Sequence, residues 1–586
     1  MAVLRCPNCG AMVKPEEGKF TAACEYCGAE MTVFESTAEF EVDSKGVLVQ
    51  YNGKGGDVII PDSVRVIGKE CFRKNERIFT VQLPDSVKEI QESAFRECTE
   101  LEEIHLPDGL ESLAKHVFLR CASLREITVP DSVLSLKEFV FGECSSLASV
   151  KLGSGIRTIE EGAFGECVRL ESLELPPHVK SLGDNCFRGC TSLRKISIPD
   201  MVQAIPDNSF QGCTALEEFT CPEELQKIGK RAFKDCSSLR KIEPGGSLQS
   251  IGEYAFSGCV KLEEFICPQG LKKIEGGTFQ DCSSLKTIQF NEGLQEIEGF
   301  AFHGCSLLSE ELRFPSSLLR MDINVFFGTT YAYIKSIFIG GSMKTINLSL
   351  NVPNVEYIHF NEGVEHIACI VSNNSRSHIR QIDFPQTLLS IGEAAFYDCT
   401  SLERVDFPPA LQSIGSRAFT ECKSLKEVIL PQTLLSIGEA AFYDCTLLER
   451  VVFPPALQSI GIRAFIGCKS LKEVILPDSL TQVDSLSFDD DFVRYIVVPY
   501  RLEQVFDKFK SYGCTVLTTD ELRRQEQQEQ QRKREENLRR LEIERAKAER
   551  EKQRIRRQNG LCEYCGGTFK GMFGKKCSVC GRPKDY

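Results

Sequence analysis

Eight of the 28 cysteines stand in four Cys-x-x-Cys-Gly units: Cys6/Cys9, Cys24/Cys27, Cys562/Cys565 and Cys577/Cys580. Two cysteines with two residues between them form a tight knuckle whose thiolates reach one metal ion, and the glycine permits a turn that aims backbone N–H groups at sulfur. The units pair at the two ends of the sequence, across 14 residues (10–23) and 11 residues (566–576), each enough for a small hairpin. Each pair is read as a zinc ribbon of four thiolates, so the expectation is two zinc ions per chain. A redox pair needs one knuckle only, and iron–sulfur clusters use comparable ligands; zinc is preferred over both. Four protein ligands leave no open position for water or substrate, so these sites are structural and not catalytic. They hold modules too small to fold by burial alone.

The elements between the two ends are set by a second cysteine pattern. Cys98, Cys121, Cys144, Cys167, Cys190, Cys213, Cys236, Cys259, Cys282 and Cys305 are each 23 residues apart, and the spacing resumes at Cys399, Cys422, Cys445 and Cys468. A fixed period of this length means a solenoid. One unit runs from Leu101 through Ile104, Leu106, Pro107, Leu110 and Leu113 to Val117, Phe118 and Cys121. Ile104 and Leu106, two apart, face one side of a short strand, and Pro107 stops it. The Gly and Ala-Phe of most units fit a tight turn followed by a packed aromatic. Nineteen units are counted between Pro61 and Pro477, with spacings of 24, 25, 21 and 24 residues inside the irregular stretch 306–384. Residues 384–429 are nearly repeated by 430–475, an internal duplication that lengthens the array without changing its design.

The unit L-P-x-x-L-x-x-I-G-x-x-A-F-x-x-C resembles the BspA-type leucine-rich repeats over roughly residues 59–499. The resemblance implies a curved superhelix with a stacked parallel β-sheet on one face, and a role in adhesion or protein binding, many members being exported. The asparagine ladder of ordinary leucine-rich repeats is absent.

The ladder cysteines are read as small, apolar, buried thiols kept reduced in cytosol, with a metal-loaded or redox-sensing ladder as the alternative. Cys71, Cys186, Cys221, Cys267, Cys369 and Cys514 fall outside the ladder register and suggest no shared site. The seven histidines are scattered and suggest no metal cluster.

Length and composition agree with this organisation. At 586 residues, with 26% charged and 42% hydrophobic side chains, the chain is neither disordered nor membrane-embedded in character. No run of about 18 apolar residues and no apolar leader are found, so standard secretion is not expected. The expected segments are a ribbon over 1–34, capping strands over 35–60, repeats over 61–499, a cap over 500–519, a charged helix or coiled coil over 520–558, and a second ribbon over 559–586. In the cap, Leu502, Val505, Phe506 and Phe509 recur at helical spacing. From Asp520 onward 19 Lys/Arg outnumber 12 Asp/Glu, against a net charge of −13 for the whole. Pairs such as Glu529/Lys533, Glu535/Arg539 and Glu536/Arg540 have the favourable i,i+4 order. Leu538, Leu541, Ala548 and Ile555 mark sparse a/d positions for a weak homodimer.

The function expected is that of a non-enzymatic, cytoplasmic, bacterial interaction scaffold that binds a protein on the strand face. Early units are polar there (Glu103 and His105, Glu126 and Thr128), whereas later ones present Ile429, Val452 and Ile475 beside Glu427, Arg450 and Glu473. The alternative is a nucleic-acid-associated factor that uses the basic helix together with Phe569, Lys570, Phe573, Lys575 and Lys576 of the last ribbon. A surface adhesin is a lesser alternative. No Gly-rich phosphate loop, catalytic triad or open metal site supports an enzyme.

Overall fold

The computed structural model describes residues 4–5, 8–9, 11–13, 21–32, 39–322, 324–326, 334–340, 342–350, 354–371, 377–570 and 576–583. Most of them form a parallel β-solenoid in which each 23-residue coil lays down three edges. The first is a strand such as Glu103–His105, whose Ile104 pairs with Val81 of the coil before. The second is a two-residue strand such as Ser112–Leu113, with Leu113 opposite Ile90. In these two strands Ile104 and Leu113 are buried and their strand neighbours are exposed, which is the period-2 alternation of a half-buried strand.

The third edge is a turn stitched by backbone bonds. Ser93, Phe95 and Glu97 donate N–H to the carbonyls of Lys115, Val117 and Leu119 one coil on, at 3.1, 3.0 and 2.7 Å. Ser93 and Glu97 are left-handed, with φ of 60° and 63°, and His116 and Arg120 repeat the pattern at 62° and 63°. Non-glycine residues seldom hold this conformation; here two bonds per coil hold it.

The glycine of the repeat serves a different purpose from the turn that the sequence suggested. Gly252 is not left-handed; a β-carbon on it would stand 2.6 Å from the Lys230 nitrogen and 2.7 Å from the Gly229 carbonyl carbon. It lets one coil approach the backbone of the next.

Because every coil superposes on its neighbour, identical side chains stack. Phe118 and Phe141 lie 5.6 Å apart with planes 3° from parallel, and Phe164 and Phe187 repeat this at 5.6 Å and 2°. The column runs from Phe72 to Phe326 and resumes from Phe396 to Phe488. Burying each ring is worth about 2–3 kcal/mol against an exposed one. Its first end is closed by aromatic rings from a hairpin: Phe40–Val42 runs antiparallel to Val47–Tyr51, and Tyr51 covers Phe72 at 4.9 Å. Strand direction then switches, Val47–Tyr51 being parallel to Val66–Ile67.

In the irregular stretch the strand ladder survives with the offsets read from the sequence: Glu296 opposite Arg320, Glu311 opposite Ser336, Ser336 opposite Tyr357 and Tyr357 opposite Gln381. Two longer strands, Thr345–Leu350 and His366–Val371, replace the two-residue type and pair through register shifts.

The chain divides into two compact units, 1–471 with 481–492, and 472–480 with 493–586. In the second, Glu473–Ile475, Tyr495–Val498 and Thr515–Thr518 form a parallel sheet. Helical spacing over 500–511 becomes a 3-10 helix, Tyr500–Phe506, followed by one α turn, Asp507–Ser511, and buries Leu502, Phe506 and Phe509. The long helix is Thr519–Gln558, about 60 Å at ~1.5 Å per residue. Thr518 and Glu521 form its capping box, and Thr519 and Arg523 bond to Asp478. No residue of this helix is buried. It is supported along its own surface by pairs such as Glu529 with Arg532 and Lys533, at 2.9 and 3.5 Å. No described helix is long and apolar enough to cross a membrane.

Candidate metal centres and binding face

The last turn of the long helix fixes the first C-terminal knuckle. Arg556 donates to the carbonyls of Glu563 and Tyr564 at 3.1 and 3.0 Å, and Arg557 pairs with Glu563. From the other side, the Arg582 guanidinium lies 4.0 Å from the centre of the Tyr564 ring. The glycines after each knuckle, Gly566 and Gly581, are left-handed at 75° and 70°. Their N–H groups close on Cys562 and Cys577 carbonyls at 2.8 and 3.0 Å. A two-stranded antiparallel pair, Phe569–Lys570 with Lys576–Cys577, joins the knuckles.

This folding brings Cys562, Cys565, Cys577 and Cys580 together, with all four sulfurs within 4.8 Å of one another. Cys562 and Cys580 are 3.6 Å apart and Cys565 and Cys577 3.4 Å. Sulfurs sharing one tetrahedral ion at ~2.3 Å each stand roughly 3.8 Å apart, so the residues fit a metal. The electrostatics agree. N–H groups of Cys580 and Val579 point at Cys577 and hold its thiol down at about 6. The N–H of Cys565 likewise lowers Cys562. The N–H of Gly567 favours the Cys565 thiolate, but hydrogen bonding with the Cys577 sulfur, desolvation, and hydrogen bonding with the Cys580 and Cys562 sulfurs together push Cys565 up to about 11. Four thiolates repel one another; a cation at their centre removes that conflict.

At the other end Cys9, Cys24 and Cys27 converge in the same way, Cys9 and Cys24 being 3.5 Å apart. Gly28 is left-handed at 68°, and its N–H closes on Cys24 at 2.8 Å. Thr21–Ala23 pairs antiparallel with Glu30–Thr32. Cys6, the fourth expected ligand, lies outside the described residues, as do Phe573 and Lys575 of the last ribbon.

The ladder thiols are buried and hydrogen-bonded to backbone. Cys144 donates to the Phe118 carbonyl at 3.1 Å, and thirteen of the fourteen ladder cysteines make this bond to the phenylalanine 26 residues earlier. Burial pushes Cys144 well above the ordinary thiol range. Four of the cysteines outside the ladder keep the 23-residue period at other buried positions of the coil. Cys71 and Cys186 replace the alanine before phenylalanine, and Cys221 and Cys267 replace the strand-end leucine. Among the described residues no histidine joins a metal-competent group. His366 instead sits 2.7 Å from the Ser390 hydroxyl.

On the strand face, Glu103 and His105 are exposed around buried Ile104. Further along, Ile429 is 53% exposed and opens onto a cleft of about 400 Å³ shared with Glu403, Arg404, Asp406, Lys426 and Glu427. Its strand partner Val452 is half-buried, with Arg450 paired to Glu427 at 2.7 Å. An apolar side chain ringed by both signs of charge can seat a protein.

A family profile described as the BspA type leucine rich repeat region matches residues 51–168, 112–240, 203–333, 249–377 and 372–493. No curated protein matches. Among solved structures, a leucine-rich repeat protein from Bacteroides ovatus is 20% identical over 85% of this chain and 97% of its own, with a TM-score of 0.35. A leucine rich cell surface protein from Faecalibacterium prausnitzii is 23% identical over 48% and 92%, with a TM-score of 0.33. The pneumococcal vaccine antigen PcpA is 21% identical over 59% and 86%, with a TM-score of 0.37.

Proposed function

Because the chain belongs to the BspA-type leucine-rich repeat family, we propose that it is a non-enzymatic scaffold that binds a protein on its strand face. The observation that carries the reading is the exposed Ile429 in its ring of Glu403, Arg404, Lys426 and Glu427. The partner is accordingly a protein with an apolar residue flanked by charge. Structural zinc completes each end, on Cys562, Cys565, Cys577 and Cys580 and on Cys6, Cys9, Cys24 and Cys27. When bound, zinc supplies a closed cross-link and no reactive water, so these cysteines act as ligands alone. The cytoplasm is the proposed compartment, since it keeps both thiolate ligands and ladder thiols reduced.

The test is chemical cross-linking of the full chain to its neighbours in host lysate with and without nuclease, beside an Ile429→Glu variant. A protein neighbour present with the native chain and lost with the variant supports the reading. A neighbour unaffected by the variant, or a signal that disappears with nuclease, overturns it.

A further inference from the structure

The turn edge of the duplicated coils, a different face from the strands, carries a cleft of about 700 Å³. Volumes of this order accommodate small ligands. Its lining comes in two copies 46 residues apart: Glu393, Tyr397 and Arg417, then Glu439, Tyr443 and Arg463. Two coils at ~4.8 Å each place corresponding groups about 10 Å apart. The rings beneath agree, successive phenylalanines from Phe396 through Phe419 to Phe442 being 5.4 Å apart. The space exists because the first left-handed column alternates small and large residues: Ala394, Arg417, Ala440, Arg463.

The backbone of this edge is already committed. Ala394, Arg417, Glu421 and Ala440 donate N–H to Ser416, Glu439, Tyr443 and Ile462 at 2.9, 2.8, 2.7 and 2.9 Å. An extended peptide adds to a sheet through free backbone groups; side chains alone must do the recognition here. They are two phenol rings, which offer flat apolar faces, and carboxylates and guanidiniums, which accept from and donate to hydroxyls. Charge nearly cancels: Glu393, Glu421 and Glu439 face Arg417 and Arg463, and Lys423 pairs with Glu421 at 3.0 Å. An ionic ligand gains little in such a site.

We propose that this cleft binds a neutral, extended β-1,4-linked oligosaccharide, each Glu–Tyr–Arg set taking one face of the chain. The two-sugar repeat of such a chain matches the two-coil spacing, so equivalent sugars meet equivalent side chains. The subsites are not identical: Thr420 of one corresponds to Ile466 of the other. The Tyr397 hydroxyl donates to Glu421 at 3.0 Å, whereas the position corresponding to Glu421 beside Tyr443 is Gly467. Tyr443 is 37% exposed and is the ring most available to a sugar face.

Titration calorimetry of the full chain with cellohexaose and chitohexaose tests this, with cellobiose reaching one subsite only and maltohexaose presenting a curved linkage. At least one β-1,4 hexaose binds, about tenfold or more tighter than cellobiose and maltohexaose. Tyr443→Ala weakens it by about tenfold, and so does Arg463→Ala. Both residues are exposed, so circular dichroism melts stay unchanged. The proposal is overturned if neither β-1,4 hexaose binds at millimolar concentration. It is equally overturned if maltohexaose binds as well as they do, or if both variants bind like the native chain.

Discussion

The thiol of Cys121 donates to the carbonyl oxygen of Phe95, 3.1 Å away and one coil earlier. That oxygen also accepts the N–H of Cys98 at 3.2 Å, so the thiol satisfies its second lone pair. The ladder is therefore a line of polar contacts built from the smallest apolar donor that fits. Cys121→Ala removes the donor and leaves a small void, and should cost about 1–2 kcal/mol in urea titrations. Cys121→Ser, which keeps a donor, should cost less.

Reagent access distinguishes ladder from knuckle. In native, reduced protein stripped of metal, a thiol reagent such as Ellman's should modify the exposed Cys9, Cys27 and Cys580 quickly. The buried ladder, including Cys144 and Cys167, should react only on denaturation. Rapid modification of the ladder in folded protein contradicts its packing.

Alkaline pH should unfold the array. Burial raises Cys98 from an ordinary value of 9.0 to about 12, so the folded chain keeps a proton that the unfolded chain has lost. The associated stability is fully present below about pH 9 and is lost as pH rises toward 12. Melting temperature should be level from neutral pH to about 8.5 and fall steeply above 9. Serine at Cys98 does not ionise in this range and should make the fall shallower.

Coil-to-coil approach predicts the effect of a single methyl group. In Gly252→Ala the β-carbon meets the backbone of Lys230 and Gly229, which side-chain rotation cannot relieve. A loss of roughly 2–4 kcal/mol is expected, by hydrogen exchange of the adjoining coils, because each repeat contacts mainly its neighbours. Gly246, which has open space around it, is the control.

Metal content checks the knuckles directly. Elemental analysis of reduced, zinc-replete protein should find two zinc per chain, and Cys562→Ser should lower this to one. The same substitution should leave the melting of the repeats unchanged. Zero zinc, or loss of both ions together, contradicts two independent centres.

Much of this molecule was legible in the covalent pattern. The spacing from Cys98 to Cys121 announces the coil, the Ile104 alternation announces its strand, and the 24, 25, 21 and 24 offsets reappear as strand register, because a solenoid converts sequence period directly into stacking. The described knuckle turns, at Gly28, Gly566 and Gly581, read equally well, since Cys-x-x-Cys-Gly encodes a local turn. Other features depend on which atoms the stacked coils bring together. Alternation over 38–60 marks strands but carries no direction, so the antiparallel hairpin at Phe40–Tyr51 came from packing against Phe72. The repeat glycine before the turn also has a role that its position alone does not reveal. Left-handed turns fall to glycine in some coils, such as Gly162 and Gly189, and in others to Ser93, Glu97 and similar residues held by bonds to the next coil, while the repeat glycine typified by Gly252 is required by the close approach of the neighbouring coil. The Cys121–Phe95 bond spans 26 residues, and the cleft joins side chains 46 residues apart. A period states how often a residue returns; only the superposed coils decide what it meets when it does.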